Sequence, residues 1–158
     1  MPKKNAVTLL VPIVSVACGS RPLRARVVWA DGFAAEVDLS EPIKRFAAYA
    51  ALAAPERFAR VAVGEDGWTL DFGDDLEMPT DHVRLLALAQ AGEIMPAQQF
   101  TQWRKRHHLT LAAAAKALGL APRTVAYYDK GERLIPKTVG LACLGYDAVH
   151  KGQEAGRG

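Results

Sequence analysis

The chain has 158 residues, room for one medium domain or two small ones, and too few for a scaffold such as a (β/α)₈ barrel of about 250 residues. Half of them are apolar and 23% are charged, the balance of a chain that buries a core, so disorder is expected only at the ends. The net charge of +3 conceals an asymmetry: residues 1–96 carry ten Lys/Arg against thirteen Asp/Glu, and residues 97–158 carry ten against four. The basic excess lies in the final third, which marks that part as the candidate for phosphate or nucleic acid.

At the start, Lys3 and Lys4 precede the apolar run Ala6 to Cys18 and imitate an export signal. Pro12 and Ser15 interrupt the run, so the expectation is a buried strand over Val11 to Ala17. No stretch of the sequence approaches the roughly 18 apolar residues of a membrane span. Cys18 and Cys143 are 125 positions apart, which supports neither a disulfide framework nor a zinc finger. A cytoplasmic location is expected.

The segments Arg24 to Ala30 and Phe33 to Leu39 flank Asp31-Gly32 and predict a hairpin on a type I′ turn. Ser40 is expected to cap a helix that has Pro42 in its first turn and runs through Ala53 until Pro55. Its apolar face would hold Ile43, Phe46, Ala47, Ala50 and Leu52. Arg60 to Val63 and Trp68 to Phe72 form a second strand pair around Glu65-Asp66-Gly67. Thr80 then caps a helix with Val83, Leu86, Ala87 and Gln90 on its inner face and Gly92 as its stop. Strand, hairpin, helix, hairpin, helix describes a small α+β domain with an antiparallel sheet and helices on one side.

Chemistry has no visible carrier in this front part. Asp71, Asp74, Asp75, Glu77 and Asp81 cluster in sequence, but Gly73 is misplaced for a calcium loop, so a solvated turn is expected. His82 stands alone, and neither a nucleophile elbow nor a phosphate-cradling glycine loop is present. No enzyme activity, metal or cofactor is expected. The early valine strand, Trp29-Ala30-Asp31-Gly32 leading to Val37-Asp38-Leu39, Phe58 to Val63, and Trp68 through Asp75-Leu76 resemble the bacterial domain-of-unknown-function family 2442 over roughly residues 11–90. The resemblance implies a fold and a companion module beside other proteins, some of them toxin-like, and it implies no site.

A short linker around Ala91 to Pro96 leads to the basic part. Ala97 to His107 reads as a helix with Phe100 and Trp103 inward, and Thr110 caps a second helix, Leu111 to Leu118. Gly119 permits a sharp turn, and Pro122 opens a third helix ending at Lys130 and Gly131. Ile135-Pro136 restarts the chain into a short fourth helix, and residues 151–158 are expected to be a flexible tail. His107 and His108 stand at a helix C-terminus, where the dipole favours a cation, and receive no ligand role; Lys116 is assigned to a solvated face.

Leu109-Thr110 through Ala115, Leu118-Gly119-Leu120, Pro122-Arg123-Thr124-Val125, Tyr128 through Arg133 and Ile135-Pro136 resemble, in that order, the Cro/phage-repressor-like (Xre-type) helix-turn-helix family over about 55 residues. That resemblance implies an all-α domain over residues 95–150 whose third helix enters the major groove of double-stranded DNA. It places Pro122, Arg123, Ala126 and Tyr127 toward the bases, with Arg123 as the guanine reader and Tyr127 against a thymine methyl or a phosphate. It makes Thr110, Lys130, Arg133 and Lys137 phosphate contacts, and Arg104 the structural partner of Asp129. The sequence departs from the family at Leu111, where a Gln is usual, and Pro122 and Ala126 offer the groove no hydrogen bond. The function expected is a DNA-binding transcriptional regulator, acting as a homodimer, with the domain of residues 1–91 serving dimerisation or a protein partner. The alternative is a protein-interaction or antitoxin-like adaptor in which the helix-turn-helix is structural.

Overall fold

The computed structural model describes residues 8–155, so Lys3, Lys4 and Ala6 of the signal-like run lie outside the described residues. The fold is α+β, and the chain divides between Ala91 and Gly92 into two units, each with its own apolar core.

In the first unit β1 (Ile13–Cys18), β2 (Arg24–Trp29) and β3 (Ala34–Asp38) form an antiparallel meander. Ala25, Val27 and Trp29 alternate inward along β2 and are all buried, which sets the register Ala25↔Val37 and Val27↔Ala35. The β2–β3 turn differs from the type I′ expectation. Gly32 alone takes a positive φ (+91°), while Trp29 N–H bonds Phe33 O at 2.9 Å and Gly32 N–H bonds Trp29 O at 2.9 Å. This is a three-residue loop with glycine at its left-handed position; a type I′ turn would also need positive φ at Asp31.

The single helix expected from Ser40 to Ala53 is broken. It appears as α1 (Ser40–Arg45) and a 3₁₀ stretch (Ala47–Ala53), with Phe46 extended between them at φ −104°, ψ 120°, before α2 (Pro55–Phe58). Ile43 and Leu52 are nine positions apart, an offset of about half a turn on a continuous helix, so one face could not bury both. With the break both are buried, and Phe46, Ala47 and Ala50 of the expected apolar face are exposed. Ser40 lies inside α1 and is not its cap: its hydroxyl donates to Asp38 Oδ1 at 2.6 Å.

The second sheet orders β4 (Ala62–Val63), β5 (Thr69–Asp71) and β6 (Glu77–Pro79), the last unforeseen, and leads into α3 (Thr80–Gln90). Thr80 does not cap α3. It is buried, its hydroxyl donates to Val11 O at 2.6 Å and accepts from Trp29 Nε1 at 2.9 Å, and it ties β2 to α3 inside the core. The buried Arg84 guanidinium pairs with Asp31 at 2.6 Å and faces the Trp29 and Phe33 rings, pinning α3 to the hairpin loop. The Asp74 carboxylate in the acidic turn accepts from Arg60 at 3.2 Å and remains exposed.

The second unit contains β7 (Ile94–Met95), α4 (Ala97–Arg106), α5 (Leu111–Leu118), α6 (Pro122–Lys130), β8 (Ile135–Pro136) and α7 (Lys137–Ala155). It is helical but not all-α: β7, inside the expected linker, pairs antiparallel with β8, Ile94 opposite Pro136 and Met95 opposite Ile135. Strands of two residues carry no alternation to read, and burial of Ile94 and Ile135 is what draws them together. The fourth helix is long, continuing to Ala155 through residues expected in the tail. Its Tyr146 packs edge-on against Trp103 at 5.3 Å, and its Asp147 accepts from Arg106 at 3.0 Å and bonds His107 Nε2 at 2.6 Å. These contacts, with Trp103 and Arg106 of α4 and His107 at its end, anchor α7 at Tyr146 and Asp147, and no residue of α7 alone announces them. Cys143 of α7 is buried in this core, and Cys18 of β1 is exposed.

Candidate nucleic-acid interface

The interface begins at a cap. Thr110 is extended, and its hydroxyl accepts from the Ala113 N–H at 3.0 Å, satisfying one of the free amides at the start of α5. At the other end Gly119 is left-handed (φ +70°) and Leu120 N–H closes on Ala115 O at 2.9 Å, the bonding that lets a helix stop within one residue. Ala121 is extended, and Pro122 opens α6, where a missing amide hydrogen costs nothing. The same closure ends α6, with Gly131 at φ +74° and Glu132 N–H on Tyr127 O at 2.9 Å.

Helical periodicity then divides α6. Val125 and Tyr128 are buried; Pro122, Arg123 and Lys130 are exposed, with Ala126 and Tyr127 half-buried beside them. One guanidinium holds this helix in place. Arg104 Nε and Nη2 donate to the two Asp129 oxygens at 2.9 and 3.1 Å, its Nη1 donates to Leu109 O at 3.0 Å, and Thr101 Oγ1 donates to Asp129 Oδ1 at 3.1 Å. The Arg104 bonds hold the Asp129 carboxyl below the usual carboxylate range, so the acidic residue of α6 is neutralised from behind and does not face outward as free charge.

On the outer face Arg123 Nε donates to the Tyr127 hydroxyl at 3.1 Å, and the Arg123 guanidinium lies 5.7 Å from the Tyr127 ring centre. Arg133, just past α6, brings its guanidinium to 4.3 Å from the same ring. Three of the residues expected at DNA are thus one cluster, two cations on one phenol. Lys130 and Lys137 are exposed and stand outside it, and Thr110 is exposed at the start of α5. Sequence reasoning treated Arg123, Tyr127 and Arg133 as independent contacts; the spacing of four between Arg123 and Tyr127 was the available signal for the first pair. Arg133 follows a left-handed glycine and carried no such signal. Among the described residues no helix is long and apolar enough to cross a membrane, and no group of side chains could hold a metal ion.

No protein-family model matches the chain, and no curated protein matches it. A solved structure does: a Nitrosomonas europaea protein, described as "Putative DNA Binding Protein", is 33% identical, with 90% of each chain covered and a TM-score of 0.52. The chain belongs to the same family as that protein. A likeness over 90% of the length takes in residues of both units. The kinship shown is to this protein; no family model adds the domain-of-unknown-function family 2442 or the Xre-type family to it.

Proposed function

We propose that the chain is a DNA-binding transcriptional regulator whose second unit lays α6 in the major groove while α5 crosses the backbone. The observation that carries this reading is the outward pair of Arg123 and Lys130 on a helix braced by Arg104 and Asp129, with exposed Arg133 just past its end. Membership in the family of the Nitrosomonas protein supports it. Pro122 and Ala126 can only touch base edges, so hydrogen-bonded base reading falls to Arg123 and its bidentate grip on guanine O6 and N7. Thr110, Lys130, Arg133 and Lys137 hold phosphates and set register. The protein acts in the cytoplasm without catalysis or cofactor. A reading surface this small calls for two copies on half-sites about 34–36 Å apart, with the first unit serving the pairing or a protein partner.

Selection of the full chain on a random duplex pool, followed by affinities at rising salt, tests this. A recurrent motif should emerge, and affinity should fall steeply with salt. Arg123→Ala should blur the motif, whereas Lys137→Ala should weaken every duplex alike and flatten the salt slope by about one unit. Equal affinity for all sequences before and after Arg123→Ala refutes the base-reading role. Recovery of one stoichiometric protein partner, with no duplex retained at low salt, overturns the reading in favour of an adaptor.

A further inference from the structure

We infer that Tyr127 is a positioning residue that commits Arg123 to guanine in one mode, end-on, with the two Nη groups as the reading atoms. The inference rests on the proposed docking of α6 in DNA. An arginine side chain carries five N–H donors, and its flexible stem lets it meet a guanine edge either through Nε and one Nη or through both Nη groups. Here Nε is already engaged, donating to the Tyr127 hydroxyl at 3.1 Å, so the side-on mode would first have to break that bond. The four Nη hydrogens remain. Two of them, coplanar and parallel, match the adjacent O6 and N7 acceptors of guanine, and adenine presents a donor where O6 would be.

Tyr127 is itself held. It lies one turn beyond Arg123 on α6, is half-buried, and has the Arg133 guanidinium 4.3 Å from its ring centre. An exposed arginine otherwise loses rotamer freedom when it docks; one tethered at Nε has given up part of that freedom beforehand. The hydroxyl and the ring do different things in this scheme. The hydroxyl aims Arg123, and the ring carries Arg133, whose place at the phosphates does not depend on that oxygen.

That separation provides the test. Tyr127→Phe keeps the ring and removes the acceptor. On the full chain, with the selected duplex and a copy carrying 7-deazaguanine at the guanine assigned to Arg123, the wild type should favour the natural base by about ten-fold. Tyr127→Phe should lose most of that preference; Tyr127→Ala, which also removes the ring beneath Arg133, should in addition weaken binding to unrelated duplex. Undiminished discrimination in Tyr127→Phe, on DNA that the chain binds, overturns this inference and leaves the proposed function standing. Absence of any duplex binding overturns both. A second readout needs no DNA: the Arg123 Nε–H signal should exchange with water more slowly than those of other exposed arginines and lose that protection in Tyr127→Phe. Equal exchange in the wild type overturns the inference.

Discussion

Thr80 shows how much one hydroxyl can carry. It donates to the Val11 carbonyl and accepts from the Trp29 indole in a site closed to water, so it joins the segment leading into β1, the hairpin and α3 through two bonds. Thr80→Val keeps the shape and strands both partners, each at a cost of about 1–3 kcal/mol. Denaturant unfolding of the first unit should therefore show a loss of at least about 2 kcal/mol with the slope unchanged. A loss under a few tenths would mean that water reaches the site. Thr110 is the instructive contrast. The same residue type, exposed, completes a helix start and does nothing for a core.

At the scale of elements, the second unit was the more legible half. Its helices are bounded by local chemistry: Thr110 before α5, Gly119 after it, Pro122 at the start of α6, Gly131 at its end. Each acts within one turn and is readable from neighbours alone. The pairing of Arg104 with Asp129, implied by resemblance, is present as two bonds. What was not legible depends on distant partners. The break at Phe46 follows from where two buried side chains must point, β7 exists only because β8 faces it, and α7 is anchored by groups on α4 and just past its end. The Arg104 link also makes the second unit pH-sensitive in a definite direction. The folded Asp129 pKa lies below its ordinary 3.8, so the stability it contributes is complete above that value and is lost as pH falls through the lower, folded one. Melting of the second unit should drop across that acid range. The Asp129→Asn variant should be weaker at neutral pH by about 1–3 kcal/mol and should lack this component of the acid loss. Parallel pH curves for the two proteins would assign the acid sensitivity elsewhere.

For the molecule as a whole, charge and architecture coincide. The acidic excess belongs to the α+β part and the basic excess to the helical part, and their cores share no residue. Each unit thus has a core of its own, and the chain carries a native gauge for distinguishing the two. Burial pushes the Cys143 thiol up to about 11, while Cys18 is open to solvent on β1. Since only the thiolate reacts, an aromatic disulfide reagent at neutral pH should modify one sulfur per folded molecule promptly. The other sulfur should follow at the rate at which the α7 packing comes apart. On the proposed function, duplex DNA that the chain selects should slow the late phase and leave the early one alone, which would turn a buried cysteine into a clock for whichever end of the protein its ligand holds shut.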